Sequence, residues 1–260
     1  MKILFIGDVV GRIGRSEVKR RLSSLRSKYG IDFVIANLEN ATHGKGLSLK
    51  HFNELVDAGV DSVTMGNHYM RHPDVLNRNE EFYSMVRPGN MYHEIPGVGS
   101  RVFEVKNLKV RVTNIIGRVA VEGADENPFD YLEKIVKNDT SDIHIVDFHA
   151  EATAEKMCLA KAFDGKITAL FGTHTHVQTR DARILPLGTA FMTDVGMCGY
   201  YDGILGINAE EAIERNWKNV PGRFQCPDEG RGIFNGVILE IDERTHRAIS
   251  LTPLYLIDEE

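Results

Sequence analysis

The chain is poor in cysteine and has no long hydrophobic run. Its three cysteines, Cys158, Cys198 and Cys226, lie far apart and form no CxxC pair. This spacing argues against a thiolate zinc site or a disulfide framework and is typical of reduced thiols in the cytoplasm. The apolar run within residues 1–8 is too short for a signal peptide, and no segment approaches the ~20 residues that span a bilayer. We therefore expect a cytoplasmic protein without a membrane partner.

The chain also lacks an excess of positive charge. It has 31 Lys and Arg against 37 Asp and Glu, a net charge of -6. This balance disfavours a nucleic-acid partner, although an acidic protein can still bind phosphate through a metal ion. A length of 260 residues with 42% hydrophobic residues suits a globular protein. We predict a single domain over 1–260 and leave open a second copy of the chain as a partner.

Strand and helix patterns alternate in the first third of the chain. We predict strands over 2–7, 32–36 and 62–65, with helices over 14–29 and 48–58 between them. This order implies right-handed crossovers and a parallel sheet. Further along, we predict strands over 101–105, 109–115, 143–148, 167–171, 182–185, 189–192, 232–241 and 247–256, and helices over 128–136, 152–163 and 209–217.

Polar side chains follow five of these strands. The most informative run, Gly172-Thr173-His174-Thr175-His176, comes directly after the apolar stretch 167–171. Two histidines at i and i+2 can aim their ring nitrogens at neighbouring points, and neutral imidazole is the commonest protein ligand for transition metals. The other four strands end in Asp8, Glu39 and Asn40, Asn67 and His68, and His149. Because ligands bind outside the carboxyl ends of strands, this set predicts a two-metal hydrolytic centre.

Each of these side chains has an ordinary alternative. Asp8 is either a metal ligand or the cap of the next helix, since its Gly-rich turn fits neither GxGxxG nor the P-loop. Glu39 can bridge two cations and the Asn40 amide can complete a ligand shell, yet such a pair is more often a polar turn. His68, beside Asn67, can face the substrate and donate a proton.

Other polar residues near the predicted site receive weaker interpretations. Asn37 alternates to the other face of its strand, so we leave it out of the site. His144 lies inside its strand and is interpreted as structural. His43 is a weak candidate for substrate contact. Asp194 either orients a ligand histidine or braces its loop.

Taken together, these motifs resemble the calcineurin-like metallophosphoesterase superfamily and, more closely, its YmdB-like family. The resemblance runs almost end to end, through Gly7 to Gly14, Ala36 to Gly46, Met65 to His68, Gly172 to Asp181 and Gly188 to Gly199. The superfamily usually has a histidine where this chain has Val10 and an aspartate where it has Glu39. Both departures are features of the YmdB-like branch, in which the residue matching Asn40 helps to fill the vacancy.

The resemblance implies an α/β fold, a metallophosphoesterase-type sandwich of two β-sheets flanked by helices. It implies that Glu39 bridges the metals and that His68 is the proton donor. The implied first metal ligands are Asp8, Glu39, Asn40 and His176, and the second set is Glu39, Asn67, His149 and His174. Two divalent or trivalent ions are implied, iron or manganese, and oxygen and nitrogen ligands suit zinc as well.

The expected function is phosphodiester hydrolysis of 2′,3′-cyclic or 3′,5′-cyclic nucleotides, or of similar small phosphodiesters. A hydroxide bridging the two metals would attack phosphorus. The alternatives are a phosphomonoesterase or nuclease on the same metal core, and a metal-bound scaffold protein with little turnover. A scaffold would use the basic face of the first helix as its partner surface, namely Arg12, Arg15, Lys19, Arg20 and Arg26.

Overall fold

The computed structural model describes residues 1–219 and 225–259. Within these residues the helices are α1 (Gly11–Tyr29), α2 (Leu49–Asp57), α3 (Asp74–Asn77), α4 (Pro128–Lys137), α5 (Thr153–Ala162) and α6 (Ala209–Lys218). The strands are β1 (Lys2–Val9), β2 (Phe33–Asn37), β3 (Ser62–Thr64), β4 (Met85–Val86), β5 (Ser100–Val105), β6 (Leu108–Ile116), β7 (Ile143–His149), β8 (Ala169–Thr173), β9 (Arg183–Ile184), β10 (Ala190–Met192), β11 (Met197–Tyr200), β12 (Gly232–Ile241) and β13 (Ala248–Ile257).

The strands form two sheets. The first has the order β13-β12-β11-β1-β2-β3-β4, and the second has the order β5-β6-β7-β8-β10-β9. The pairs β1–β2 and β2–β3 are parallel, as predicted, and so are β6–β7 and β7–β8. The pairs β5–β6 and β12–β13 are antiparallel. The prediction of an α/β fold with two sheets and flanking helices is confirmed. One domain over 1–260 stays a prediction.

The two sheets pack face to face because β1 is apolar on both sides. Ile3 and Phe5 point into the core between the sheets, where the Phe5 ring lies 5.2 Å from that of Phe171 on β8. Leu4 and Ile6 point the other way, into the core beneath α1 and α2. This alternation follows from the period of two along a strand, and burying each large side chain contributes roughly 1.5–3 kcal/mol.

Local sequence sets the helix ends on the first sheet. Helix α1 presents Val18, Leu22 and Leu25 to the core, spaced to share one face. It ends at Gly30, whose φ of 65° is left-handed and whose backbone N–H donates to Arg26. Helix α2 begins after Ser48, whose hydroxyl accepts a hydrogen bond from the backbone N–H of His51. Ser48, the first residue of the range predicted for this helix, therefore caps it.

Some boundaries differ from the predictions. Helix α1 begins at Gly11, three residues before the predicted start at 14. Strand β8 is shifted to Ala169–Thr173, so the run that precedes the two histidines belongs partly to the strand. Strands β4 and β11 were not predicted, because each is short and lacks a clear apolar alternation. Strand β11 pairs with β1 and places Gly196 O 3.0 Å from the backbone nitrogen of Asp8.

Candidate metal centre

The predicted ligands gather at one edge of the sandwich, at the carboxyl ends of five parallel strands. Asp8 lies within β1, and His149 is the last residue of β7. The others follow β2, β3 and β8 by one to four residues, because the chain turns sharply at these strand ends; they are Glu39, Asn40, Asn67, His68, His174 and His176. Both sheets therefore contribute side chains to the same place.

Nε2 of His149 is the centre of the tightest cluster. It lies 3.1 Å from Glu39 Oε1, 3.0 Å from Asn67 Oδ1 and 3.0 Å from His174 Nδ1. One ring nitrogen can donate only one hydrogen bond, so most of these lone pairs face one another without a donor. Metal–ligand distances of about 2.1 Å place neighbouring ligands about 3 Å apart in an octahedral shell. This donor set therefore fits a cation.

A second group lies beside Glu39. Asn40 Nδ2 is 3.1 Å from His176 Nε2 and 3.3 Å from Glu39 Oε1. Asp8 accepts the backbone N–H of His174 at Oδ2, at 3.0 Å. Its other oxygen, Oδ1, is fully buried and has no hydrogen-bond partner among residues 1–219 and 225–259. A buried carboxylate oxygen without a donor is costly, and a cation would satisfy it.

The charges of the cluster are mutually dependent. Burial raises the pKa of Asp8. Burial also opposes ionisation of Glu39, but His149 and His68 outweigh it and lower the pKa of Glu39 well below its usual value. Burial works against the charged form of His149, yet Glu39 and Asp8 raise the pKa of His149 to about 9. Burial and the neighbouring His149 lower the pKa of His174 to about 3.

A buried relay orients His149 from behind. The Thr173 hydroxyl donates to Asp147 Oδ1 at 2.7 Å, so its oxygen accepts from His149 Nδ1 at 2.9 Å. With one proton fixed on Nδ1, Nε2 is the nitrogen that offers a lone pair to the cluster when the ring is neutral. Burial raises the pKa of Asp147 to about 6. This relay was not predicted, although Thr173 belongs to the most informative sequence run.

Asn37 also supports the site, contrary to the prediction that left it out. Its Nδ2 donates to Asp147 Oδ2 at 3.0 Å, and its Oδ1 accepts the backbone N–H of Glu39 at 3.1 Å. Asn37 shares a side of β2 with Phe33 and Ile35, which lie in the core between the two sheets. It acts through the backbone of Glu39 and through the carboxylate of Asp147, which a strand pattern alone cannot reveal.

Asp194 braces the loop that carries His174 and His176. Its Oδ2 accepts from the backbone N–H and the hydroxyl of Thr175, at 3.1 Å and 2.8 Å. It also accepts from Nζ of Lys156 at 2.8 Å, and both partners of this ion pair are fully buried. The loop needs support because His174 and His176 have left-handed φ values of 99° and 66°. Of the two roles considered for Asp194, the geometry supports bracing.

His68 stands at the edge of the cluster. Its Nδ1 lies 2.8 Å from Asn40 Oδ1 and 3.2 Å from Glu39 Oε1, and its backbone N–H donates to Glu39 Oε2. A cavity of about 310 Å³ opens here, lined by His68 together with four of the predicted ligands. His43 is exposed and contacts His51 ring to ring, at 6.3 Å between centroids. The structure does not bring His43 into the cluster.

Gly66 allows two of the predicted ligands to approach each other. A Cβ atom at this position would lie 2.3 Å from Glu39 Oε2 and 2.3 Å from His149 Nε2. Real Cβ contacts are far longer, so any side chain here would displace both ligand groups. The glycine is part of the run Gly66-Asn67-His68, and its role is the close approach of backbone to site.

Two alternative interpretations lose support. Asp8 does not cap α1, because Val10 precedes this helix and no side chain caps it. The basic face of α1 is largely used in ion pairs within the chain. Arg15 and Lys19 pair with Glu54, while Arg20 and Arg26 pair with other carboxylates.

Among the described helices, none has the length and apolar character needed to cross a bilayer.

Comparisons with known proteins agree with this geometry. A model of the YmdB-like protein family matches residues 4–254. The 2′,3′-cyclic-nucleotide 2′-phosphodiesterase of Bacillus subtilis is 41% identical over 261 residues, covering 100% of this chain and 98% of that protein. A Mycoplasma pneumoniae structure described as a novel phosphatase has a TM-score of 0.93 at 41% identity, covering 99% of this chain and 93% of the other.

A more distant structure shows the fold alone. A Staphylococcus aureus chain assigned as a 5′-nucleotidase has a TM-score of 0.65 at 17% identity, covering 100% of this chain and 55% of that chain. The prediction of a metallophosphoesterase-type sandwich is confirmed.

Proposed function

Because the chain belongs to the YmdB-like family, we propose that it hydrolyses small phosphodiesters, foremost 2′,3′-cyclic nucleotides, at a centre of two metal ions. The enzyme class, a phosphoric diester hydrolase, follows from relatives that are about 40% identical over the full chain. The substrate is proposed from the name of the Bacillus subtilis relative, and the metal pair from the side chains gathered here.

In this proposal Asp8, Asn40 and His176 hold one ion, Asn67, His149 and His174 hold the other, and Glu39 holds both. The observation that carries it is the convergence of three lone-pair atoms, from Glu39, Asn67 and His174, on Nε2 of His149 within 3.1 Å. The ligands are oxygen and nitrogen without thiolate, which suits iron or manganese. When bound, such ions supply Lewis acidity and lower the pKa of coordinated water.

Asn40 links the ligand cluster to the proposed proton donor. As described, its Nδ2 faces Glu39 and His176 while its Oδ1 faces His68. The two ends of an amide have nearly the same shape, so the group can turn end for end. Turned, Oδ1 becomes available to a cation and Nδ2 donates to His68 Nδ1. The His68 proton is then held on Nε2, the nitrogen free to protonate a leaving oxygen.

The experiment for His68 separates proton donation from metal binding. We expect His68→Ala to retain both metals and to lose roughly 10²–10⁴-fold in turnover of a 2′,3′-cyclic nucleotide, whose alkoxide leaving group needs a proton. The loss on bis(4-nitrophenyl) phosphate should be far smaller, because nitrophenolate leaves without one. His93→Ala, which removes an exposed histidine outside the cluster, is the control. Equal losses on both substrates would contradict the proton-donor role.

The experiment for the metal pair combines composition with activity. We expect purified protein to contain two equivalents of iron or manganese, and Glu39→Gln to lose metal together with diester hydrolysis. Comparing bis(4-nitrophenyl) phosphate with 4-nitrophenyl phosphate distinguishes a diesterase from a monoesterase. A wild-type protein with one metal or none, and with full diesterase activity, would refute the two-metal centre.

A further inference from the structure

A second cavity adjoins the one at the metal centre. Its volume is about 460 Å³, and His176 and Leu205 line both cavities. Its other walls are mainly apolar or aromatic, formed by Met197, Tyr201, Ile204, Ile233 and Tyr255. Tyr255 is 53% exposed and Leu205 is 46% exposed, so large apolar side chains face solvent beside the site. Exposed apolar surface continuous with a polar site is typical of a ligand pocket.

The wall between the two cavities is fixed to a predicted ligand. The backbone oxygen of Leu205 lies 3.0 Å from Nδ1 of His176, which therefore donates to it. Leu205 has a left-handed φ of 53°, a conformation that non-glycine residues rarely adopt. Backbone hydrogen bonds between Ile204 and Ile207 close the turn that holds it. The apolar wall is thus hydrogen-bonded to a predicted metal ligand, which relates the position of a molecule held at one cavity to the position of a molecule held at the other.

Asn235 is a further lining residue of this second cavity, and its side chain is incompletely paired. Its side chain is 2% exposed and lines the cavity, yet Oδ1 has no hydrogen-bond partner within the described part of the chain. Leaving a buried amide oxygen unpaired is unfavourable, so such groups in native proteins call for an explanation. A ligand with an N–H donor would supply the missing bond after a small rotation of the amide.

We propose that this second cavity binds the nucleobase of the substrate while the phosphodiester lies at the metal centre. The inference rests on the proposed function, and it adds how the enzyme recognises its substrate. Tyr201 and Tyr255 provide rings on which a base can stack, and Asn235 accepts from an exocyclic amino group. Adenine, guanine and cytosine carry such a group and uracil does not.

The first experiment removes a stacking surface. Base–aromatic stacking implies a roughly 5- to 150-fold rise in KM for 2′,3′-cyclic AMP in Tyr255→Ala. Glycerol 1,2-cyclic phosphate has the same five-membered cyclic diester without a base, and its KM should not change. Tyr83→Ala, which removes another exposed tyrosine away from both cavities, should change neither KM. An unchanged KM for 2′,3′-cyclic AMP, or equal rises for both substrates, would overturn the proposal.

The second experiment removes the amide while keeping the number and branching of its heavy atoms. We expect the wild-type enzyme to prefer 2′,3′-cyclic CMP over 2′,3′-cyclic UMP, two pyrimidines of equal ring size, in kcat/KM by roughly tenfold, as one hydrogen bond allows. Asn235→Leu should abolish that preference without loss of stability, since an unpaired buried amide is replaced by an apolar group. A preference that persists in Asn235→Leu would exclude base recognition by this residue.

Binding measurements keep this inference separate from the proposed activity. If the wild-type protein hydrolyses neither cyclic diester, the proposed function fails. Calorimetric titration with adenosine 3′-monophosphate then tests the base pocket alone: weaker binding in Tyr255→Ala supports it, and equal or absent binding by both proteins overturns it. A change of oligomeric state in Tyr255→Ala, measured by sedimentation and without an effect on nucleotide binding, would assign this face to a second copy of the chain and also overturn the proposal.

Discussion

Replacing Thr173 with valine tests whether the buried relay controls metal affinity. The substitution keeps the shape of the side chain but removes the hydroxyl that accepts from His149 Nδ1 and donates to Asp147. All three side chains are fully buried, so water cannot replace the lost partner. The proton on His149 is then no longer fixed on Nδ1, and the lone pair on Nε2 is no longer guaranteed to face the metal.

The expected magnitudes follow from the two lost hydrogen bonds. Loss of a partner of this kind lowers metal affinity or activity by roughly 10–100-fold. The unpaired buried groups should reduce the free energy of unfolding by about 1–3 kcal/mol. Metal affinity is measured by competition with a chelator, turnover is measured at saturating metal, and stability is measured by urea unfolding. If affinity is the main loss, saturating metal restores much of the turnover.

The chain offers a matched control for this variant. Thr113 is also fully buried, and its hydroxyl lies 2.8 Å from Nε2 of His144, which is on the same strand as His149. Thr113→Val should therefore lose comparable stability while retaining wild-type metal affinity. Equal metal affinities for the two variants would refute the reasoning, because the relay would then contribute to folding alone.

Three further predictions concern backbone approach, buried charge and pH. Gly66→Ala should lower kcat/KM at saturating metal by about 10²-fold. The added methyl group would lie 2.3 Å from Glu39 Oε2 and from His149 Nε2, so both groups would have to move by roughly 1 Å. Full activity of this variant would contradict the prediction. Lys156→Met leaves Asp194 buried without its cation and should reduce the urea-unfolding free energy by about 3–5 kcal/mol, whereas the exposed Lys161→Met should have little effect. Burial, aided by a nearby arginine, lowers the pKa of His51 to about 4. The unfolded chain therefore takes up this proton first, and the stability contributed by neutral His51 is present above about pH 6.5 and lost as the pH falls towards 4. Unfolding measured at pH 7 and pH 4.5 should show a smaller acid loss in His51→Gln, and an identical loss would refute the shift.

The sequence was sufficient to predict the strands that have long apolar runs. It was also sufficient for the polar residues that follow them, because parallel strands bring their carboxyl ends to one edge. Glu39 Oε1 and His149 Nε2 lie 3.1 Å apart although the two residues are 110 positions apart in the sequence. The order of the strands brings them together, and the alternation of strands and helices predicts that order only in part. Strand β11 escaped prediction because four residues with a glycine carry no periodic signal.

The residues that support the cluster were harder to predict than the residues that form it. Lys156 lies on a helix of mixed character, and its burial depends on Asp194, 38 positions away. Asn37 was left out because alternation along its strand was expected to turn it away from the site, yet it contacts Asp147 on the second sheet. Its contribution passes through Asp147 and the backbone of Glu39, and neither contact leaves a local pattern. Such residues become visible only when the sheets are placed together.

The valine at position 10 connects the metal centre with the proposed base pocket. A histidine there would be a ligand in related metallophosphoesterases, by the resemblance seen in the sequence, and Asn40 lies close enough to His176 to serve in its place. Val10 is 3% exposed and packs with Met197 and Ile233, two residues that line the second cavity. It also lines the cavity at the metal centre. Valine in place of histidine at position 10 can therefore transfer a ligand role to Asn40. The same change extends an apolar wall from the proposed metal site towards the proposed base pocket. On this argument Val10→His should weaken binding of 2′,3′-cyclic AMP more than binding of glycerol 1,2-cyclic phosphate. The reverse order of effects would contradict a role of Val10 in the base pocket.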